Sequence, residues 1–142
     1  MRLEEAASRR RAAAADHGIL ATGNDDRGVD LVPVCFVLEG DVVAVPVDRV
    51  KPKGPGRLQR ARNLDADPRG TLLCERWDAE DWSRLWWVRL RLRSEQQEQA
   101  TSDALARALV AKYPQYAAAP FEEILAFRVL ETAGWAASGA DD

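Results

Sequence analysis

Val29-Asp30-Leu31-Val32-Pro33-Val34-Cys35-Phe36-Val37-Leu38, then Glu39-Gly40-Asp41, then Val42-Val43-Ala44-Val45-Pro46-Val47 is the stretch that decides the fold. Two β-branched apolar runs flank a tight polar turn, which is the pattern of a β-hairpin. An earlier run, Ile19-Leu20-Ala21-Thr22, is closed by the turn-rich Gly23-Asn24-Asp25-Asp26-Arg27-Gly28 and adds a strand before it. Strands joined by turns this short must be antiparallel, because a parallel pair needs a crossover of about a dozen residues or more.

Outward from this hairpin the same alphabet continues. Residues 70–77 read as a fourth strand, 78–81 as an acidic turn and 82–93 as a fifth strand. In the fifth, the two-residue period puts Trp86, Val88, Leu90 and Leu92 on one face and Trp87, Arg89, Arg91 and Arg93 on the other. A sixth, at 124–130, carries Leu125, Phe127 and Val129 on one face. Helical spacing appears at 3–15, at 57–65 (Leu58, Ala61, Leu64; stopped by Pro68) and at 95–112. The last aligns Leu105, Leu109 and Tyr113, takes Thr101 or Ser102 as its cap and ends at Pro114. The expectation is one mainly β domain over 1–142: a six-stranded antiparallel barrel with peripheral helices. Residues 1–17 form its N-terminal helix and residues 136–142 a disordered tail.

Composition narrows the function. A formal net charge of -3 argues against a general nucleic-acid coat. Only Cys35, Cys74 and His17 could supply soft metal ligands, and none is at zinc spacing, so no metal site is expected. No apolar run approaches the roughly 20 residues that span a bilayer, and no signal peptide is visible, so a cytoplasmic protein is expected.

Against this acidic background residues 49–62, Arg49-Val50-Lys51-Pro52-Lys53-Gly54-Pro55-Gly56-Arg57-Leu58-Gln59-Arg60-Ala61-Arg62, hold six cations and no acid. Such a block marks a local anion site, since its field decays within about 10 Å at ordinary salt. Lysines stiffened by Pro52, with Arg57 and Arg60 on the next turn, offer both compact and forked donors to phosphate. Trp77, Trp82, Trp86 and Trp87 follow and supply flat stacking surface. Asp78, Glu80 and Asp81 read as a solvated turn, Cys35 as a small buried hydrophobe, and His17 as a helix cap at most. No nucleophile–base pair can be assembled, so in an enzyme a cofactor carries the chemistry. The competing readings are a solvated basic loop, or a non-catalytic module that binds a cofactor or single-stranded nucleic acid.

Together Ile19-Leu20-Ala21-Thr22, Leu31-Val32-Pro33-Val34-Cys35-Phe36, Val47-Asp48, Lys51-Pro52-Lys53, Arg62-Asn63-Leu64, Asp67-Pro68-Arg69, Glu80-Asp81-Trp82-Ser83-Arg84-Leu85-Trp86-Trp87-Val88-Arg89 and Lys112-Tyr113-Pro114-Gln115-Tyr116 form a known pattern. The chain resembles the pyridoxamine 5'-phosphate oxidase-like split β-barrel family, in its actinobacterial branch of coenzyme F420-dependent oxidoreductases. The resemblance implies the FMN-binding split-barrel fold and a homodimer with cofactor sites at its interface. It implies no catalytic side chain: reduced deazaflavin passes its C5 hydride to a small electrophilic substrate held about 3–3.5 Å away. FMN is the alternative cofactor. By the same resemblance Lys51, Lys53, Arg57, Arg60 and Asn63 hold the phosphate and anionic tail, and Val34, Cys35, Phe36, Val47 and Asp48 line the ring pocket. Trp82, Ser83 and Trp87 close it, alone or with the partner chain, and Trp135 reaches the interface. The chain departs from the pattern at Asp30, where relatives often carry a histidine, at Pro46 and at Gly54-Pro55-Gly56.

Overall fold

The computed structural model describes residues 1–47, 58–118 and 121–138. Three helices, α1 (Glu5–Ala14), α2 (Gln59–Ala66) and α3 (Gln99–Lys112), surround seven strands. The strands are β1 (Gly18–Asn24), β2 (Gly28–Val34), β3 (Val37–Glu39), β4 (Val42–Val47), β5 (Arg69–Arg76), β6 (Trp86–Ser94) and β7 (Glu123–Ala136). They form one sheet in the order β2-β1-β5-β6-β7-β4-β3, and every neighbouring pair is antiparallel.

The sheet's edges explain its shape. β2 and β3 lie at opposite edges, yet only Cys35 and Phe36 separate them in sequence. Three Cα-to-Cα steps from Val34 to Val37 span at most about 11 Å, so the sheet must roll until its edges approach. It is a barrel split along one seam. The run at 29–38, expected as one strand, breaks here, and six expected strands become seven.

The inward faces fill the barrel. Leu20, Leu72, Val88, Leu90 and Phe127 are buried in one cluster with Phe36, Val43 and Val45. Each such side chain contributes roughly 1.5–3 kcal/mol by leaving water. A second cluster lies outside the barrel wall, where Leu105 and Leu109 of α3 cover Val37, Ala44 and Ala126. α3 begins at Gln99 after Glu98, with no side-chain cap, so Thr101 and Ser102 lie within its first turn and do not cap it.

β7 runs past residue 130 to Ala136 because both flanks find partners there. Trp135 lies opposite Trp87 of β6, and the Leu3 N–H donates to the Gly134 carbonyl at 3.0 Å. Part of the expected tail is therefore ordered strand; residues 139–142 lie outside the described residues. The N-terminal helix needs Gly134 to come close: an added Cβ would strike the Ser8 Oγ and lie 3.1 Å from its Cβ. That hydroxyl is buried and has no hydrogen-bond partner. Ser8→Ala is expected to raise stability by about 1 kcal/mol in chemical denaturation, whereas Gly134→Ala costs roughly 1–3 kcal/mol. Equal destabilisation by both would contradict this packing. Among the described residues no helix is long and apolar enough to cross a membrane.

Candidate functional site

At one end of the barrel, α2 docks against the β1–β2 hairpin through a polar knot centred on Asn63, which is only 4% exposed. Its amide nitrogen donates to Thr22 Oγ1 at 3.0 Å and Asp30 Oδ2 at 2.8 Å. Its amide oxygen accepts from Asn24 Nδ2 at 3.0 Å and Gln59 Nε2 at 2.9 Å. An amide has two donors and two acceptor positions, so Asn63 is fully committed. It holds the site together and has nothing left for a phosphate.

Asp30 sits in the same knot under a forked grip from Arg27, with Nη2 at 2.6 Å and Nε at 3.1 Å. Those bonds, and then the Asn63 amide, hold its carboxyl below the usual carboxylate range. A cavity of about 400 Å³ opens beside it, lined by Thr22, Arg27, Asp30, Leu58, Gln59 and Arg60 among others. Two guanidinium groups, an amide and a carboxylate thus face one space. Of the cationic segment, Arg60 is placed at this cavity; Asp48, Lys51, Lys53 and Arg57 lie outside the described residues.

The barrel seam is a second structured feature. The Phe36 N–H donates to the Tyr113 hydroxyl at 3.1 Å, and Lys112 Nζ donates to the Phe36 carbonyl at 3.0 Å. The Tyr113 hydroxyl lies 2.8 Å from the Asp16 carbonyl and 3.1 Å from that of Phe36, its one proton serving either. Lys112 also sits 4.1 Å over the Phe36 ring, and burial lowers its pKa. The end of α3 therefore replaces the strand ladder where the sheet is split. Lys112-Tyr113 before a helix-ending proline was the signal for this clamp; helical periodicity showed only its apolar face.

Val34, Phe36 and Val47, expected along the ring pocket, turn their side chains into the core. Cys35 is half-buried, not buried as expected, because it lies in the link between strands. Cys74 is 1% exposed, and burial pushes its thiol up to about 12. Cys35 is accordingly expected to react with a thiol-specific disulfide reagent in the native protein, and Cys74 only on unfolding. Equal rates for both would contradict the placement of Cys74.

The tryptophans gather at the opposite end of the barrel. Trp77 and Trp82 are 64% and 66% exposed, with ring centroids 6.1 Å apart. The Ser83 hydroxyl and N–H both donate to Asp81, at 2.6 Å and 3.0 Å, so Ser83 caps its own turn. Asp78 likewise accepts from the Glu80 and Asp81 N–H groups at 3.0 Å, as a solvated turn should. Among the described residues no His, Cys, Asp and Glu group is placed to hold a metal. Trp87 is half-buried, with the Arg89 guanidinium 5.5 Å from its ring centroid.

The register separates these groups. Thr22 pairs with Gly70, which pairs with Leu92, five residues along β6 from Trp87. That is about 16 Å along the strand. One chain brings Arg60, Asn63 and Asp30 together, but does not bring Trp82, Ser83 or Trp87 to them.

No family model and no curated protein matches the sequence. Solved structures do match. A FAD-binding protein of Mesorhizobium loti superposes with TM-score 0.67 at 14% identity, over 94% of this chain and 93% of that one. An FMN-binding protein of Syntrophomonas wolfei gives 0.66 at 18%, over 93% and 84%. An F420 reductase gives 0.57 at 18%, over 87% and 93%. At these identities the likeness speaks to the fold: this chain is a split β-barrel of the kind found in FMN- and F420-binding proteins.

Proposed function

We propose that the protein is a coenzyme F420-dependent oxidoreductase that transfers a hydride between the deazaflavin and a small electrophilic substrate. The observation that carries this reading is the acid-free cationic run at 49–62 in the sequence, together with the cavity that Arg60, from the end of that run, lines with Arg27 and Asp30. A phosphate and several carboxylates match that donor set, and the longer anionic tail of F420 accounts for six cations better than the single phosphate of FMN. When bound, the cofactor supplies the hydride. Lys51, Lys53, Arg57 and Arg60 bind its anionic groups, while Asn63 and Asp30 orient α2 and the β1–β2 hairpin around them. No side chain need form a covalent bond.

The outer sheet face supports a homodimer in which a second chain completes each site. The outer sheet face carries Val29, Leu31, Leu73 and Trp135 at 61%, 68%, 36% and 38% exposure. Cross-strand pairing puts Pro33, Ile19, Leu73, Arg89 and Ala133 in one row of this face. The Arg89 Nε in that row is buried without a hydrogen-bond partner. An apolar face with an unsatisfied donor at its middle suits a second copy. Leu73→Asp, in the middle of that row and away from the Arg60 cavity, is expected to leave a folded monomer by light scattering and to weaken cofactor binding at least tenfold. A dimer of unchanged affinity would contradict the two-chain site.

The likeness to an FMN-binding protein favours flavin as the second reading. Spectra of the purified protein and oxidation of reduced F420 by electrophilic acceptors separate the two. Stoichiometric flavin absorption without F420 turnover would overturn the F420 assignment.

A further inference from the structure

A cavity of about 500 Å³ lies on the outer face of the sheet, where β1, β5 and β6 run side by side. Its floor is made of small outward positions: Ala21 pairs with Thr71, Thr71 pairs with Arg91, and Gly23 lies two residues further along β1. Two exposed apolar side chains flank it, Val29 opposite Gly23 and Leu130 on β7. Leu130 owes its place to a β-bulge: Arg91 pairs with Glu131 and Leu92 with Val129, which leaves Leu130 unpaired and turned outward. Among the described residues the charged groups that line the cavity are Asp67, Arg69 and Arg91. Asp67 and Arg69 hold each other at 2.8 Å. Arg91 donates to Thr71 Oγ1 at 3.1 Å and, among the described residues, makes no ion pair, with Glu131 or any other acid. A guanidinium carries several N–H donors, so Thr71 aims it without exhausting it.

We propose that this cavity binds a small planar carboxylic acid, laid flat on the strands with its carboxylate at Arg91. The small side chains of the floor leave room for a flat molecule, and Val29 and Leu130 cover its apolar edges. The volume falls within the roughly 300–1,000 Å³ of small-molecule sites. A guanidinium fork matches the two oxygens of a carboxylate, and such a charge-assisted bond is about twice as strong as a neutral one. Thr22 lies in the wall of this cavity and of the Arg60 cavity, so the two adjoin. Its role as the place of the electrophilic substrate rests on the hydride-transfer reading above; binding itself does not. Ala21, Thr71 and Arg91 lie two residues from Ile19, Leu73 and Arg89, so a second copy on that row borders the cavity.

The test is calorimetric titration of the cofactor-free protein with trans-cinnamate and with its neutral amide, cinnamamide. Cinnamate is expected to bind saturably, one per chain, at least tenfold tighter than cinnamamide. Arg91→Gln should weaken cinnamate at least tenfold and change cinnamamide by less than about twofold, which removes the preference for the acid. Arg91 is exposed, so its substitution does not threaten the fold. Ala21→Leu, which fills the floor from the outer face, should weaken both ligands at least tenfold with unchanged far-ultraviolet circular dichroism. Lys51→Ala/Lys53→Ala should leave the cinnamate affinity unchanged whether or not those lysines bind F420. Absence of saturable binding, equal affinity for acid and amide, indifference to Arg91→Gln, or loss of binding in the lysine variant would each overturn the proposal. The first three leave the cofactor reading untouched, and the fourth reassigns the ligand to the cationic run. Failure of F420 to bind, with cinnamate still selected by Arg91, would instead remove the cofactor reading and keep this site.

Discussion

Replacing Lys51 and Lys53 together by alanine is expected to lower the affinity for coenzyme F420 at least a hundredfold while leaving the melting temperature unchanged. A hydrogen bond from a cationic donor to an anion is worth about 1.5–3 kcal/mol, so two give roughly 3–6 kcal/mol. That range corresponds to a factor of about 10² to 10⁴ in the dissociation constant. The remaining cations of the run, Arg57 and Arg60, keep binding from vanishing, and the variant should lose much of the salt dependence of the wild type. Fluorescence titration at two ionic strengths measures both effects. An unchanged affinity would mean that the cationic run is a solvated loop.

Asn63→Ala is expected to cost about 3 kcal/mol of folding stability, and to lower the melting temperature by roughly 10 °C. The variant removes four hydrogen bonds at once and leaves the buried Thr22 hydroxyl without that donor. Its effect on cofactor affinity should be smaller than that of the lysine pair, because Asn63 acts by placing α2. The acid limb of stability carries a second signature. Asp30 has its pKa depressed in the folded state, so it stabilises the fold above the unfolded carboxylate pKa and loses that contribution as pH falls through the folded value. Without the Asn63 donor the depression shrinks, and the loss moves to higher pH. Asp67, held at about 2 by Arg69, should titrate alike in both proteins and serves as the internal reference. Denaturation midpoints between about pH 2 and pH 5 check this ordering, and coincident acid limbs would contradict it.

Periodicity was enough for the strands that alternate cleanly. Val88, Leu90 and Leu92 point inward as the two-residue period requires, and so do Leu125, Phe127 and Val129. It could not show where the run from Val29 to Leu38 breaks. That break is set by a long-range event, the rolling of the sheet until β2 and β3 approach, and nothing local to Cys35-Phe36 encodes it. The extent of β7 was hidden for a similar reason: Thr132 to Ala136 become strand because β6 and the N-terminal residues pair with them. Charge pattern marked the cationic run in the sequence, and of that run Arg60 lines a cavity among the described residues. Asn63, which the resemblance implies holds the phosphate, has its amide engaged by four protein partners, and charge pattern carries no sign of them. Trp82 and Ser83, expected at the start of the fifth strand, form a 3-10 turn before β6 begins at Trp86, and their distance from Arg60 depends on strand register, which composition does not carry.

The most direct test of the account is titration of oxidised coenzyme F420 with the purified protein, followed by the cofactor's own fluorescence. Saturable binding at micromolar protein, with one cofactor per chain, is the predicted result. No change in fluorescence up to high micromolar protein would contradict it, leaving a split barrel whose cationic run serves some other anion.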